Sequence, residues 1–114
     1  MGAFTAGSVA LIHFPFSDLS RTKLRPAVVL AALDGGDYIL CQITSKPYDP
    51  CSLELLQNDF CEGSLNRVSY IRPGKLFTSD QSLLVKQIGK LSPVALNRLR
   101  EKVIQVISSD SKTL

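Results

Sequence analysis

A short glycine-rich turn between two apolar runs constrains the fold more than any other feature of the sequence. The turn, Asp34-Gly35-Gly36-Asp37, separates residues 27–32 from residues 38–43. Glycine adopts the positive φ angles that hairpin turns require, and branched or aromatic residues favour extended backbone. The sequence therefore predicts an antiparallel hairpin that brings the residue before the first run close to the residue after the second.

Length and composition place this hairpin in one small domain. The chain has 114 residues, 45% of them hydrophobic, which predicts a single folded domain over 1–114 with its core at about 7–107 and a polar tail at 108–114. Neither a membrane-spanning apolar run nor a secretory signal is recognisable, so we expect a cytoplasmic location and no membrane association. A net charge of +3 permits a nucleic-acid partner without requiring one.

Four further segments have the branched, aromatic or alternating character of strands: residues 9–14, 52–56, 66–72 and 83–91. Pro73-Gly74 is expected to end the third of these, because proline lacks a backbone donor. Residues 57–65 are polar and predict a loop. Leu76-Phe77 is then an isolated apolar pair that anchors a turn.

Ser92-Pro93 indicates the start of a helix, since serine caps free amides and proline suits the first helical position. Leu96, Leu99, Val103 and Val106 follow at helical spacing and are expected to face the core. Five to seven short strands and one C-terminal helix predict a mainly β fold. A small barrel or a strongly curved sheet is the natural closure, because it removes exposed strand edges.

The cysteines and the single histidine do not predict a metal site or a cofactor. Cys41, Cys51 and Cys61 are odd in number and lack zinc-site spacing. Cys41 lies in an apolar strand and is expected to be a small core residue. The sequence does not decide whether Cys51 and Cys61 form a disulfide.

The hairpin also defines a candidate site. Arg25 stands where a basic loop becomes a strand, with Pro26 directly behind it, and Thr44 follows the partner strand. A guanidinium placed in this way can bind phosphate oxygens through two hydrogen bonds. The alternatives are a surface ion pair for Arg25 and a hydroxyl that caps a turn for Thr44.

Five segments in order resemble the MazF/PemK family of toxins: residues 7–12 (GSVALI), 25–30 (RPAVVL), 42–45 (QITS), 75–78 (KLFT) and 88–92 (IGKLS). Residues 14–19 (FPFSDL) resemble its PemK-like branch in particular. The resemblance implies an SH3-like, CcdB/PemK-like barrel with a C-terminal helix, usually a homodimer. It also implies a toxin of a type II toxin–antitoxin pair that cuts single-stranded RNA, often messenger RNA, without a metal. A cognate antitoxin lays a disordered segment across the RNA groove.

The resemblance assigns catalytic roles to Arg25, Thr44 and Arg72. Some members of the family carry an aspartate two residues after the second arginine, and that position is Gly74 here. Asp18, Asp80 and His13 are the alternative acid–base candidates. Residues expected to bind RNA are Ser17, Asp18, Ser20, Arg21, Lys23, Ser45, Lys46, Tyr70 and Lys75, with Arg67 as a further cation and Tyr48 as a further stacking residue.

Two rival hypotheses remain. One is a toxin-fold protein that binds gyrase as CcdB toxins do and has no nuclease activity. The other is a degenerate relative that binds antitoxin or RNA but cleaves poorly. The intact Arg25 and Thr44 motifs favour the nuclease. Gly74 stands where some members of the family have an aspartate, so the degenerate relative remains an alternative.

Overall fold

A computed structural model describes residues 4–14 and 23–109 of the chain. Its elements are β1 Ser8–His13, β2 Leu24–Ala32, β3 Asp37–Thr44, β4 Leu53–Leu55, β5 Phe60–Gly63, β6 Ser69–Asp80, β7 Leu84–Leu91 and the helix α1 Pro93–Ser108. Two single-turn 3₁₀ segments, Gln57–Asp59 and Gln81–Leu83, precede β5 and β7. No helix in these two ranges is long and apolar enough to cross a membrane.

The seven described strands form one antiparallel sheet in the order β4-β6-β3-β2-β1-β7-β5. The sheet curls into a half-barrel with α1 packed against it, which confirms the predicted mainly β fold with a C-terminal helix. It does not close, so β4 and β5 remain edge strands. They have three and four residues, and such short edges offer little backbone for pairing with another chain.

Side chains that alternate along the strands build two cores, one on each face of the sheet. The core that includes α1 contains Val9, Val28, Cys41, Ile43 and Leu99. The core on the opposite face contains Ala10, Ile12, Ala27, Val29 and Leu40. Both faces of the central strands are therefore covered, which explains the nearly continuous apolar sequence of β2 and β3.

The predicted hairpin and helix are confirmed. Gly35 and Gly36 adopt φ angles of 89° and 93° between β2 and β3, as the turn chemistry requires. Ser92 Oγ accepts a hydrogen bond of 3.1 Å from the backbone N–H of Ala95 and caps α1. Leu99 and Val103 are buried as expected, and Ala95 is buried with them.

The prediction of a loop over residues 57–65 is wrong for all but the last two of them. Residues 57–59 form a 3₁₀ turn and residues 60–63 form β5, because Phe60 pairs with Leu91 and Gly63 pairs with Gly89 on β7. Gly63 has a φ of 70°, and a β-carbon there would lie 2.7 Å from Gly89 Cα. Pairing with a distant strand, and a glycine that permits it, override the local composition.

The prediction that Pro73-Gly74 ends a strand is wrong. Strand β6 runs through both residues from Ser69 to Asp80, and Leu76-Phe77 belongs to this strand. The pairing of β6 with β3 shifts register between Ile43↔Ile71 and Cys41↔Leu76. That irregularity accommodates a proline without a backbone donor, so the strand continues beyond it.

All three cysteines are free, and Cys51 and Cys61 are not paired with each other. Cys41 is fully buried in the core that includes α1, as predicted. Burial raises the pKa of the Cys41 thiol from 9.0 to about 12.

Candidate functional site

One row of residues crosses five neighbouring strands at the same level of the sheet. Ile12 on β1 pairs with Arg25 on β2, and Thr44 on β3 pairs with Tyr70 on β6. The register Ala27↔Gln42, continued by two residues, sets Arg25 opposite Thr44. Tyr70 in turn pairs with Glu54 on β4. Neighbouring strands lie about 4.8 Å apart, so Arg25, Thr44 and Tyr70 occupy adjacent positions.

A cleft of about 530 Å³ opens at this end of the sheet. Arg25 and Thr44 belong both to the row and to the lining of the cleft. Four lining residues are cationic: Lys23, Arg25, Arg67 and Lys86. No carboxylate occurs among the described residues that line it. A concave surface with one sign of charge focuses the field on a ligand of the opposite sign, so this cleft favours an anion.

Arg25 is exposed and keeps its charge available to a ligand. Within the described part of the chain, the two ion pairs join Arg72 to Asp49 and Arg98 to Asp59, and neither involves Arg25. The alternative of a surface ion pair at Arg25 is therefore not found among these residues. Pro26 follows directly within β2 and restricts the backbone that carries the guanidinium.

Thr44 is a turn-capping residue as well as a cleft residue. Its hydroxyl donates a hydrogen bond of 2.7 Å to the backbone carbonyl of Lys46. The structure thus shows the turn-capping hydrogen bond that was the alternative role for Thr44. With its proton engaged, Oγ1 presents only lone pairs, so in this arrangement it accepts a hydrogen bond from a ligand.

Arg72 does not line the cleft and is held by a different loop. Its Nε donates a hydrogen bond of 3.1 Å to Asp49 Oδ2, and its Cζ lies 5.2 Å from the centre of the Tyr48 ring. No sequence pattern indicated the Asp49 carboxylate, which lies 23 residues away in the chain. A β-carbon at Gly74 would lie 3.7 Å from Val106 Cγ1, so this position faces α1.

Of the acid–base alternatives, Asp18 lies outside the described residues, and the other two differ in their positions. Asp80 pairs with Asp37, at the opposite end of β3 from Thr44, so the fold does not bring it to the site. Hydrogen bonds from Ser82 lower the pKa of Asp80, which caps a 3₁₀ turn. His13 lies opposite Leu24 at the end of β1, outside the cleft lining, and its buried Nδ1 has no hydrogen-bond partner among residues 4–14 and 23–109.

The residues expected to bind RNA fall into three groups. Lys23 and Ser45 line the cleft with Arg67, and Tyr70 lies in the row. Lys46 and Lys75 are exposed but do not line it. Ser17, Asp18, Ser20 and Arg21 lie outside the described residues.

Lys86 is a cleft residue that the sequence did not indicate. It reaches this position because β7 pairs with β1, where Lys86 stands opposite Leu11. Only the register of these distant strands places it there. Among the described residues, no group of three or more His, Cys, Asp and Glu side chains is arranged as metal ligands.

Comparison with known proteins identifies the family. The family model described as "PemK-like, MazF-like toxin of type II toxin-antitoxin system" matches residues 5–107. No curated protein sequence gives a significant match.

Several solved structures are similar in fold. MazF from Deinococcus radiodurans has 19% identity and a TM-score of 0.74, with 96% of this chain and 100% of that chain covered. An endoribonuclease from a mycobacterial species, in complex with its cognate antitoxin, has 13% identity and a TM-score of 0.72 over 98% and 100%. The Mycobacterium tuberculosis toxin MazF-mt6 has 18% identity and a TM-score of 0.69 over 90% and 98%. At these identities the likeness concerns the fold, and the family match over nearly the whole sequence makes the chain a member of the PemK-like, MazF-like toxins of type II toxin–antitoxin systems.

Proposed function

We propose that the chain is a metal-independent endoribonuclease toxin that cuts single-stranded RNA, including messenger RNA, at short sequences. The observation that carries the proposal is the pair Arg25 and Thr44, shared by the strand row and by a cationic cleft without a carboxylate in its described lining. Family membership supports the same activity.

The proposed reaction uses the ribose 2′-hydroxyl as nucleophile. Its oxygen attacks the adjacent phosphorus and releases its proton to solvent. The bond to the 5′-oxygen of the next nucleotide breaks, and that oxygen takes up a proton from solvent, which leaves a 2′,3′-cyclic phosphate and a 5′-hydroxyl. Arg25 stabilises the extra negative charge of the phosphorane through its planar pair of donors. Thr44 Oγ1 accepts a hydrogen bond and orients the attacking hydroxyl. Arg72 acts from beside the cleft, where its ion pair with Asp49 offsets part of its charge.

Substrate binding is proposed to rest on phosphate contacts and on stacking. Lys23, Arg67 and Lys86 are placed to bind the backbone, which makes affinity depend on salt. Tyr70 is a stacking surface beside Thr44. Unpaired bases can reach such a surface, whereas a duplex hides them, so single-stranded RNA is the favoured substrate.

A protein antitoxin, a homodimer and a cytoplasmic site of action complete the proposal. MazF from Deinococcus radiodurans has been solved in complex with MazE, and the mycobacterial endoribonuclease with its cognate antitoxin. We propose that a segment of such an antitoxin covers the cleft of this chain. Exposed apolar side chains on α1, including Val94, Ile104 and Ile107, are available to a second copy.

Incubation of the purified chain with a long single-stranded RNA in excess chelator tests the activity. The 5′ ends of the fragments are mapped for the wild type, Arg25→Ala and Arg100→Ala. Arg100 is an exposed arginine on α1, bonded only to the Leu30 carbonyl among the described residues, and serves as the matched control. We expect discrete cuts from the wild type and from Arg100→Ala. For Arg25→Ala we expect a loss of about 10²- to 10³-fold, the range measured when one stabilising donor is removed.

Full cleavage by Arg25→Ala would contradict the proposed mechanism, and a strict requirement for a divalent metal would contradict the proposed chemistry. A folded wild type that makes no cuts but inhibits gyrase would favour the binding-protein hypothesis. A folded wild type that only binds RNA or an antitoxin would favour the degenerate relative.

A further inference from the structure

A second cluster of polar and aromatic side chains lies beside the row. It consists of Tyr48, Asp49 and Arg72. The Arg72 and Asp49 side chains are 24% and 30% exposed, and the Tyr48 residue is 62% exposed. Ion pairs with this much solvent contact contribute little to stability. Holding the fold together is therefore at most a small part of what this cluster does.

The guanidinium of Arg72 is fixed from two directions and still has free donors. Asp49 Oδ2 accepts from Nε at 3.1 Å, and the Tyr48 ring covers Cζ at 5.2 Å. Arginine has five N–H donors, and four of them are on the two terminal nitrogens. No hydrogen bond of these terminal nitrogens is present among residues 4–14 and 23–109. This edge of the group is the one that binds phosphate bidentately.

Asp49 is itself anchored before any ligand binds. Its Oδ1 accepts from the Cys51 backbone N–H at 3.0 Å and from Ser52 Oγ at 3.4 Å. Its backbone carbonyl accepts from the Ser52 N–H at 3.1 Å, which closes a turn with Pro50 at the second position. Pro47 and Pro50 flank Tyr48 and Asp49 and restrict the loop further. Little conformational entropy remains to be lost when this loop binds a ligand.

The cluster lies one step along the sheet from Thr44. Tyr70 pairs with Thr44, and burial alternates along β6, so Arg72 shares the side of the strand that carries Tyr70. Two residues of a strand span about 7 Å. That step is comparable to the spacing of neighbouring phosphates in an extended single strand.

We infer that Tyr48, Asp49 and Arg72 form a nucleotide subsite for single-stranded RNA, next to the Arg25–Thr44 centre. One base stacks on the exposed face of the Tyr48 ring, whose other face covers Arg72. The terminal nitrogens of Arg72 bind the phosphate of that nucleotide, and Asp49 is the positioning residue that holds them in place. The subsite rests on the proposed function, because it assumes an RNA strand across the row.

Binding of a fluorescent single-stranded RNA with 2′-O-methyl groups throughout tests the subsite separately from cleavage, because this strand lacks the attacking hydroxyl. Anisotropy is measured for the wild type, Tyr48→Ala, Tyr48→Phe and Asp49→Asn, and thermal unfolding verifies that each variant is folded. Stacking on an aromatic ring is sequence-tolerant, and its loss weakens binding by about tenfold or more. We expect that loss for Tyr48→Ala and not for Tyr48→Phe.

Asp49→Asn is the more decisive variant, because two explanations predict opposite changes in its affinity for RNA. The variant removes a negative charge, so electrostatics alone predicts tighter binding of RNA. The asparagine oxygen still accepts from the Cys51 N–H, but its amide directs a donor at Arg72 Nε. If Asp49 positions Arg72, binding weakens by about tenfold, the effect of one misplaced charge-assisted contact. In an Arg72→Lys background the same change is expected to have no weakening effect.

Unchanged or tighter binding by Asp49→Asn, or unchanged binding by Tyr48→Ala, would overturn the subsite. If the wild type still cuts unmodified RNA in that case, the proposed function stands without it. Binding that follows the expected order, in a protein that never cuts unmodified RNA, would support the subsite and contradict the nuclease. A folded wild type that does not bind the strand would overturn both.

Discussion

At the residue scale, the arginines differ in whether they form ion pairs. Arg72 and Arg98 are each paired with an aspartate, whereas Arg25 has no ion-pair partner among the described residues and lines a cleft. Toward residues 4–14 and 23–109, this exposed guanidinium has no ion pair that an anionic ligand would have to displace. This difference makes Arg25 the residue on which the proposed chemistry depends most.

Cys41 gives a prediction on pH dependence. Its thiol is buried, with a pKa raised from 9.0 to about 12. Above pH 9 the unfolded chain loses this proton while the folded chain keeps it, so the free energy of unfolding falls as pH rises. The slope is about 1.4 kcal/mol per pH unit above 9. Below pH 9 both states are protonated, and this contribution to stability is fully present.

Urea unfolding of the wild type and of Cys41→Ala at pH 8 and pH 10 measures this effect. We expect the wild type to lose about 1.4 kcal/mol more than the variant between the two pH values. The variant is the control for the tyrosines and lysines that titrate in the same range. Equal losses in the two proteins would show that Cys41 ionises as readily in the folded state as in the unfolded state.

At the element scale, local signals predicted the elements that depend on local chemistry. The Gly35-Gly36 hairpin and the Ser92-Pro93 helix start are where the residue types place them. Strand β5 was missed because its partner, β7, is far along the chain, and β6 was predicted too short because a register shift accommodates Pro73.

The residues of the candidate site were likewise predictable only where segments close in the chain bring them together. Arg25 and Thr44 were predictable because a tight hairpin joins their strands. Lys86 and Asp49 were not, since only pairing between distant segments brings them to the cleft and to Arg72.

The β5–β7 pairing predicts a contrast between two glycines. Gly63 and Gly35 both have positive φ, at 70° and 89°, so alanine is strained at either position. A β-carbon at Gly63 would also clash with Ile88 O and Gly89 Cα, whereas nothing lies within 4 Å at Gly35. We expect Gly35→Ala to cost about 1–2 kcal/mol and Gly63→Ala about 3 kcal/mol or more.

Denaturant unfolding of the two variants provides the measurement. Because both substitutions carry the same strain in φ, the difference between their free energies of unfolding isolates the close approach of β5 to β7. Equal costs would mean that β5 does not pack this tightly against β7.

At the scale of the whole molecule, the half-barrel brings cationic residues from two strands and two connecting segments to one cleft. The net charge of the chain is only +3, yet four cationic residues line this cleft and no carboxylate occurs in its described lining. The arrangement of charge, rather than its amount, is what indicates a polyanionic substrate. Curling of the sheet produces that arrangement, since it brings β7 and the residues before β6 round to the end of β2 and β3.

The salt dependence of RNA binding tests this arrangement. We expect Lys86→Ala to weaken binding of single-stranded RNA and to reduce the slope of log K against log salt by about 0.7, the value for one phosphate contact. Lys102→Ala removes the same charge from α1, outside the cleft, and is the matched control. Equal slopes for the wild type and Lys86→Ala would place the RNA elsewhere on the surface.

The products of the cut show most directly whether Arg25 and Thr44 promote attack by the ribose 2′-hydroxyl. Once a cleavage site is mapped, two short RNAs that contain it are incubated with the purified chain in excess chelator. One of them carries a single 2′-deoxy nucleotide immediately before the cut. We expect the unmodified RNA to be cut to a 2′,3′-cyclic phosphate and a 5′-hydroxyl, and the deoxy RNA to remain uncut at that site. Cleavage of the deoxy RNA, or a 5′-phosphate product, would contradict attack by the 2′-hydroxyl.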